Sequence, residues 1–98
     1  MEISMKKDAK ALVVSLIGRL DTTTAPQLEA KLKEQIDGVE NLVIDFEQLE
    51  YISSAGLRVI LAAQKIMNKQ GSMVVRKVNP EIMEVFEITG FSDILTIE

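Results

Sequence analysis

Ser53 and Ser54 stand side by side within Asp45–Leu61, where an apolar strand runs into a short polar turn and a strongly apolar helix follows Ala55-Gly56. Two hydroxyls are thereby placed at a helix N-terminus, where backbone N–H groups lack intrahelical partners. One chemistry open to them is capping. The other is phosphate attachment, with the anion held by free N–H groups and the positive end of the helix dipole. Capping explains one serine well and a second one poorly. Ala55-Gly56 is also an unusual helix start, since glycine costs about 1 kcal/mol relative to alanine inside a helix. A missing side chain suits a close approach by another protein's backbone or by a phosphate.

The remaining polar chemistry is sparse. Asp21, Asp45, Glu47 and Glu50 are the carboxylates placed to matter, and Asp21 and Asp45 lie at or just after strand ends. Ligand sites in open α/β sheets gather at such ends. Two carboxylates there would serve as oxygen ligands for a metal or as an acid–base pair. The plainer reading is solvated turn residues, because no nucleophile, base and oxyanion set accompanies them. The chain contains no histidine and no cysteine, which excludes Ser-His-Asp and Cys-His catalysis and thiolate metal sites. Gly18-Arg19-Leu20-Asp21 lacks the further glycines of a phosphate-binding loop, so a nucleotide cofactor has no support. A net charge of −4 argues against direct nucleic-acid binding. No apolar run reaches the roughly 20 residues of a membrane span, and Met1–Lys6 carries no secretion signal. The expected setting is cytoplasmic, without membrane insertion.

The 98 residues fit one domain, 1–98, with 47% hydrophobic residues to build a core. Met1–Met5 reads as a strand turning near Asp8-Ala9 into a second strand, Ala11–Ile17. Thr24 is the candidate cap of the first helix, with Gln27 in the capping-box position and Pro26 in the first turn. Leu28, Leu32, Ile36 and Val39 form its apolar stripe, and Gly38 is a stop signal. Leu42–Phe46 reads as a central strand buried on both faces. The helix after the serines carries Leu57, Ile60 and Leu61 and ends at Gly71. Met73–Val78 is the next strand, Asn79-Pro80 starts a third helix closed by Gly90, and Ile94–Ile97 is a short last strand. The order β-β-α-β-α-β-α-β predicts an α/β fold around a single mixed sheet.

These motifs resemble the STAS family, specifically the stand-alone anti-sigma factor antagonists of bacteria. Gly18-Arg19-Leu20-Asp21 is similar to the family's signature before its first helix, and Leu42–Phe46 to its central strand. Ile52-Ser53-Ser54-Ala55-Gly56-Leu57 is similar to its phosphorylation loop, and Val85–Phe91 to its closing helix. The resemblance implies the STAS fold, with helices packed mainly on one side of the sheet. It implies a protein that is not an enzyme and needs no cofactor. Its partners would be an anti-sigma factor that is also a serine kinase of GHKL-type ATP fold, and a PP2C-type serine phosphatase. Binding would free a sigma factor, and phosphorylation would release the complex.

Alignment on Gly56-Leu57 puts the phosphate acceptor at Ser54. Ser53 then occupies a position where the family usually has Asp, and Ala55 one where it has a second hydroxyl. The implied partner surface comprises Asp21, Thr22, Thr23, Thr24, Tyr51, Ser53, Ser54, Ala55, Gly56 and Arg58, with the exposed side of the Leu57–Gln70 helix. The alternative is a non-phosphorylated STAS adaptor subunit of a transporter or signalling complex. A third reading has Asp21 and Asp45 binding a metal for phosphoryl chemistry.

Overall fold

The computed structural model describes residues 1–98. Strand β1 (Glu2–Asp8) turns through Ala9-Lys10 and pairs antiparallel with β2 (Ala11–Leu20). Helix α1 (Ala25–Gln35) leads to β3 (Asn41–Ile52), and α2 (Ser54–Gln70) leads to β4 (Ser72–Arg76). β3 is parallel to both β2 and β4, so the mixed sheet runs β1-β2-β3-β4. Helix α3 (Pro80–Thr89) and a short 3-10 turn, Phe91–Asp93, complete the chain.

Alternation along the strands decides which face holds the core. Leu12, Val14 and Leu16 on β2, Leu42, Ile44 and Phe46 on β3, and Met73 and Val75 on β4 are buried. Their neighbours Val13, Ser15, Val43, Asp45, Val74 and Arg76 are only half-buried. One face of the sheet therefore packs against the helices and the other stays open, correcting the expectation that Leu42–Phe46 is buried on both sides. Val43 gives that run its continuous apolar look while sitting on the open face. Asp45 is tolerated there because Arg76 Nε stands 3.1 Å from its Oδ2. Phe86 of α3 closes over Phe46, ring centroids 6.0 Å apart. Asn79 caps α3 as its sequence suggests, Oδ1 accepting from Ile82 N–H at 2.8 Å. Its Nδ2 donates to Leu49 O at 3.0 Å, fastening α3 to β3. Gly90 ends α3 in the left-handed conformation at φ +83°.

The chain end departs from expectation. Ile94–Ile97 forms no strand. Helical hydrogen bonds continue through Ile94 and Leu95 to Phe91 O, because buried Leu95 anchors the turn. What remains is one parallel bridge between Ile97 and Val75.

Candidate functional site

Two irregularities in β3 build the site. Ser15 pairs with Asp45 but Ile17 with Gln48, and Gly18 pairs with Leu49 but Arg19 with Tyr51. Each step gives β3 one residue more than β2, as in a β-bulge. The buried positions of β3 accordingly pass from alternation to a spacing of three, at Phe46, Leu49 and Ile52. The polar stretch Glu47–Tyr51, read as a turn, is therefore strand. It delivers Ile52 opposite Leu20, and Ser53 N–H donates to Leu20 O at 2.9 Å. Only Ser53 separates strand from helix.

Ser53 takes the capping role. Its backbone is extended (φ −97°, ψ 175°) and its hydroxyl accepts from Gly56 N–H at 3.3 Å. Ser54 is the first helical residue and is exposed. The N–H groups of the first turn lack intrahelical partners. Thus the two serines divide the work: one is committed to the helix and the other presents a free hydroxyl. Ser is as good a cap at this position as Asp would be.

Gly56 is buried, which corrects the suggestion that its missing side chain makes room for a partner. A Cβ there would lie 2.7 Å from Leu20 Cγ, 2.9 Å from Ile52 Cγ1 and 3.0 Å from Leu20 O. The glycine lets α2 press onto the ends of β2 and β3.

Thr24 stands at the N-cap position of α1, but its hydroxyl makes no cap bond to the helix; the carboxylate of Asp21 caps the turn before it. Ala25 N–H donates to Asp21 O at 2.8 Å, closing an α turn already at Thr22–Thr24. Asp21 Oδ1 accepts from the N–H groups of Thr23 (3.0 Å) and Thr24 (3.1 Å). Thr24 Oγ1 accepts in return from Asp21 N–H at 2.8 Å and donates to Arg19 O at 2.8 Å. This is a capping box with threonine in the third position. The Thr24 N–H above all, with the Thr24 hydroxyl, the Thr23 N–H and Arg19, holds the Asp21 carboxyl below its usual range against the opposing effect of desolvation. The turn leaves Thr22 and Thr23 exposed beside α2.

Thr22, Pro26 and Glu29 of the first-helix region face Ala55, Arg58 and Val59 of α2 across an open groove. It continues into an apolar groove between α1 and α2, floored by Leu32, Val59, Ala63 and Ile66. Tyr51 is 41% exposed, and the Arg19 guanidinium lies 4.2 Å above its ring. Arg19 Nε is also 4.0 Å from Asp21 Oδ2. Sequence reading missed this use of Arg19; the cross-strand pairing with Tyr51 depends on the bulges. Asp21, Thr22–Thr24, Tyr51, Ser53, Ser54, Ala55 and Arg58 thus gather at one end of the sheet, with Gly56 beneath them.

Asp45 lies elsewhere. Its partner Ser15 is six residues from Asp21, about 20 Å along a strand. Burial tends to raise its carboxyl, but the Glu47 N–H and Arg76 outweigh this and the net shift is downward. Asp45 and Asp21 cannot converge on one metal ion, and no group of three or more acidic side chains is arranged to hold one. The metal-dependent reading is overturned on this separation. No helix is long and apolar enough to cross a membrane.

Known proteins share the family and fold of this chain. The STAS domain model matches residues 2–98. BtrV of Bordetella bronchiseptica, assigned by name to the anti-sigma factor antagonists, is 41% identical over 99 residues, covering 99% of this chain and 85% of its own. The anti-sigma F factor antagonist of Paenibacillus polymyxa is 32% identical over 100 residues, covering 99% and 86%. Among solved structures, the Bacillus anti-sigma factor antagonist SpoIIAA aligns at 21% identity in two states. Its unphosphorylated form gives a TM-score of 0.79 over 99% of this chain and 87% of its own. Its phosphorylated form gives 0.78 over 99% and 91%. The chain belongs to the STAS domain family, among relatives named as anti-sigma factor antagonists.

Proposed function

We propose that this protein is an anti-sigma factor antagonist switched by phosphorylation of Ser54. The observation that carries the reading is the division of labour at α2, where Ser53 caps and Ser54 stands exposed and free. In this reading an anti-sigma factor with serine-kinase activity docks on the Thr22–Thr24 turn, Tyr51 and the start of α2, and a sigma factor is released. The kinase transfers the γ-phosphoryl group of ATP to Ser54 Oγ. The hydroxyl proton passes to a base of the kinase, and ADP leaves. A PP2C-type phosphatase hydrolyses the ester and restores the hydroxyl.

The switch follows from charge. Phosphoserine adds about −1.5 to −2 units at neutral pH. A helix N-terminus accommodates that charge, so the domain keeps its fold. An interface that closed over the hydroxyl must instead bury the anion, which costs several kcal/mol when unpaired. SpoIIAA supports the first half by analogy, since its two forms match this fold equally well. Incubation with the anti-sigma kinase and ATP, followed by mapping of the modified residue, tests the reading. Phosphate on Ser54, absent in Ser54→Ala, is expected. Tight capture of transporter or sensor subunits by an unmodifiable chain would favour the adaptor role instead.

A further inference from the structure

We propose that Arg58 is the in-chain ligand of phosphorylated Ser54, so that modification both adds an anion and withdraws a cation from the partner surface. The inference rests on the phosphorylation reading and extends it to the fate of the phosphate. Two cations stand at this end of the molecule. Arg19 is committed, its guanidinium stacked on Tyr51 and near Asp21. Arg58 is exposed and takes part in none of the ion pairs or side-chain hydrogen bonds of the domain. The one carboxylate lining its groove, Glu29, is paired with Lys33 at 3.8 Å.

Spacing supplies the rest. Ser54 and Arg58 are four residues apart on α2, so they share a face with Cβ atoms about 5–6 Å apart. The anion lies N-terminal to the cation, the favourable order. A guanidinium offers two parallel N–H donors to phosphate oxygens. The free N–H groups of the first turn approach the same phosphate from the helix end. Unmodified, Arg58 projects beside Thr22 and Ala55, where a docking partner meets it. Modified, its charge is spent on the phosphate.

The test uses chain carrying phosphoserine installed at position 54 during translation, so that it needs no kinase. Phosphorus NMR follows the second ionisation of the phosphate in native, Arg58→Gln, Arg58→Lys and Arg19→Gln chains. The charged groups facing it are Arg58 on α2, Arg19 on β2, Asp21 in the turn and Glu29 on α1. The dianion should form at lower pH in the native chain than in Arg58→Gln, by a few tenths of a pH unit. Arg58→Lys should fall between them, and Arg19→Gln should follow the native curve. Arg58→Gln should also lower the melting temperature of the phosphorylated chain more than that of the unmodified one. Identical titrations of native and Arg58→Gln chains, or a shift caused by Arg19→Gln instead, would overturn the assignment. A kinase that ignored Ser54 would sink the functional reading without altering these curves.

Discussion

A methyl group at position 56 would press on Leu20 and Ile52, so Gly56→Ala tests how tightly the site is built. Overpacking costs about 1–3 kcal/mol, while alanine returns about 1 kcal/mol of helix propensity. We expect a net loss on the order of 1 kcal/mol in urea unfolding; a more stable variant would show that α2 is free to shift. At the neighbouring cap, Ser53→Ala should cost about 1 kcal/mol, whereas Ser53→Asp should be neutral or stabilising. Equal stability of all three chains would remove the capping role. Asp21 gives a pH signature. Its folded-state carboxyl titrates below the ordinary value of 3.8, so its contribution is present above that pH and fades as pH falls through the lower folded value. Native protein should therefore lose stability on acidification below about pH 4 more steeply than Asp21→Asn. Parallel acid-unfolding profiles would contradict this. Ser53 and Ser54 were legible from sequence because capping is local. The N-cap position of the first helix was legible at Thr24, but its hydroxyl turns back to Arg19 O and Asp21 N–H, and Asp21 caps the preceding turn, because Thr24 and Asp21 are both good capping residues.

At the scale of elements, β3 is what a pattern reading handles worst. Its apolar run stops at Phe46, yet the strand continues to Ile52 through charged residues. Alternation fails there because the bulges space the buried side chains three apart, and no residue type in Glu47–Tyr51 announces them. The same irregularity moved Asp45 from an assumed strand end to mid-strand and hid the Arg19–Tyr51 contact. The helices were more legible, since Gly71, Gly90 and Asn79 punctuate them. The last strand was not, because Ile94–Ile97 has strand composition but Leu95 is drawn into a helical turn. Deleting Glu50 tests the role of the second bulge. The deletion leaves Leu49 and Ile52 two residues apart, so plain alternation still turns Ile52 inward, but the bend of the bulge is lost and Ser53 is re-aimed away from its cap. Loss of the Ser53 cap should cost about 1 kcal/mol in urea unfolding. Retention of native stability and of the α2 cap would show that the bulge positions nothing.

Across the whole molecule, one covered and one open sheet face and the gathering of Asp21, Thr22, Ser54 and Arg58 at a single end separate the scaffold from the proposed switch. The last twenty residues, Asn79–Glu98, contain five carboxylates and no base, so the negative net charge is concentrated there and not around Ser54. A phosphate added at the start of α2 changes a local surface without disturbing the core behind it. The amide NMR spectrum of phosphorylated chain should therefore shift at residues near Thr22–Thr24 and Ser53–Arg58 while the core strands stay in place. The most direct measurement is calorimetric binding of the anti-sigma kinase to unmodified chain and to chain phosphorylated at Ser54. Phosphorylation should weaken the affinity by at least about tenfold, equivalent to about 1.4 kcal/mol; equal affinity of the two forms would contradict the charge-driven release.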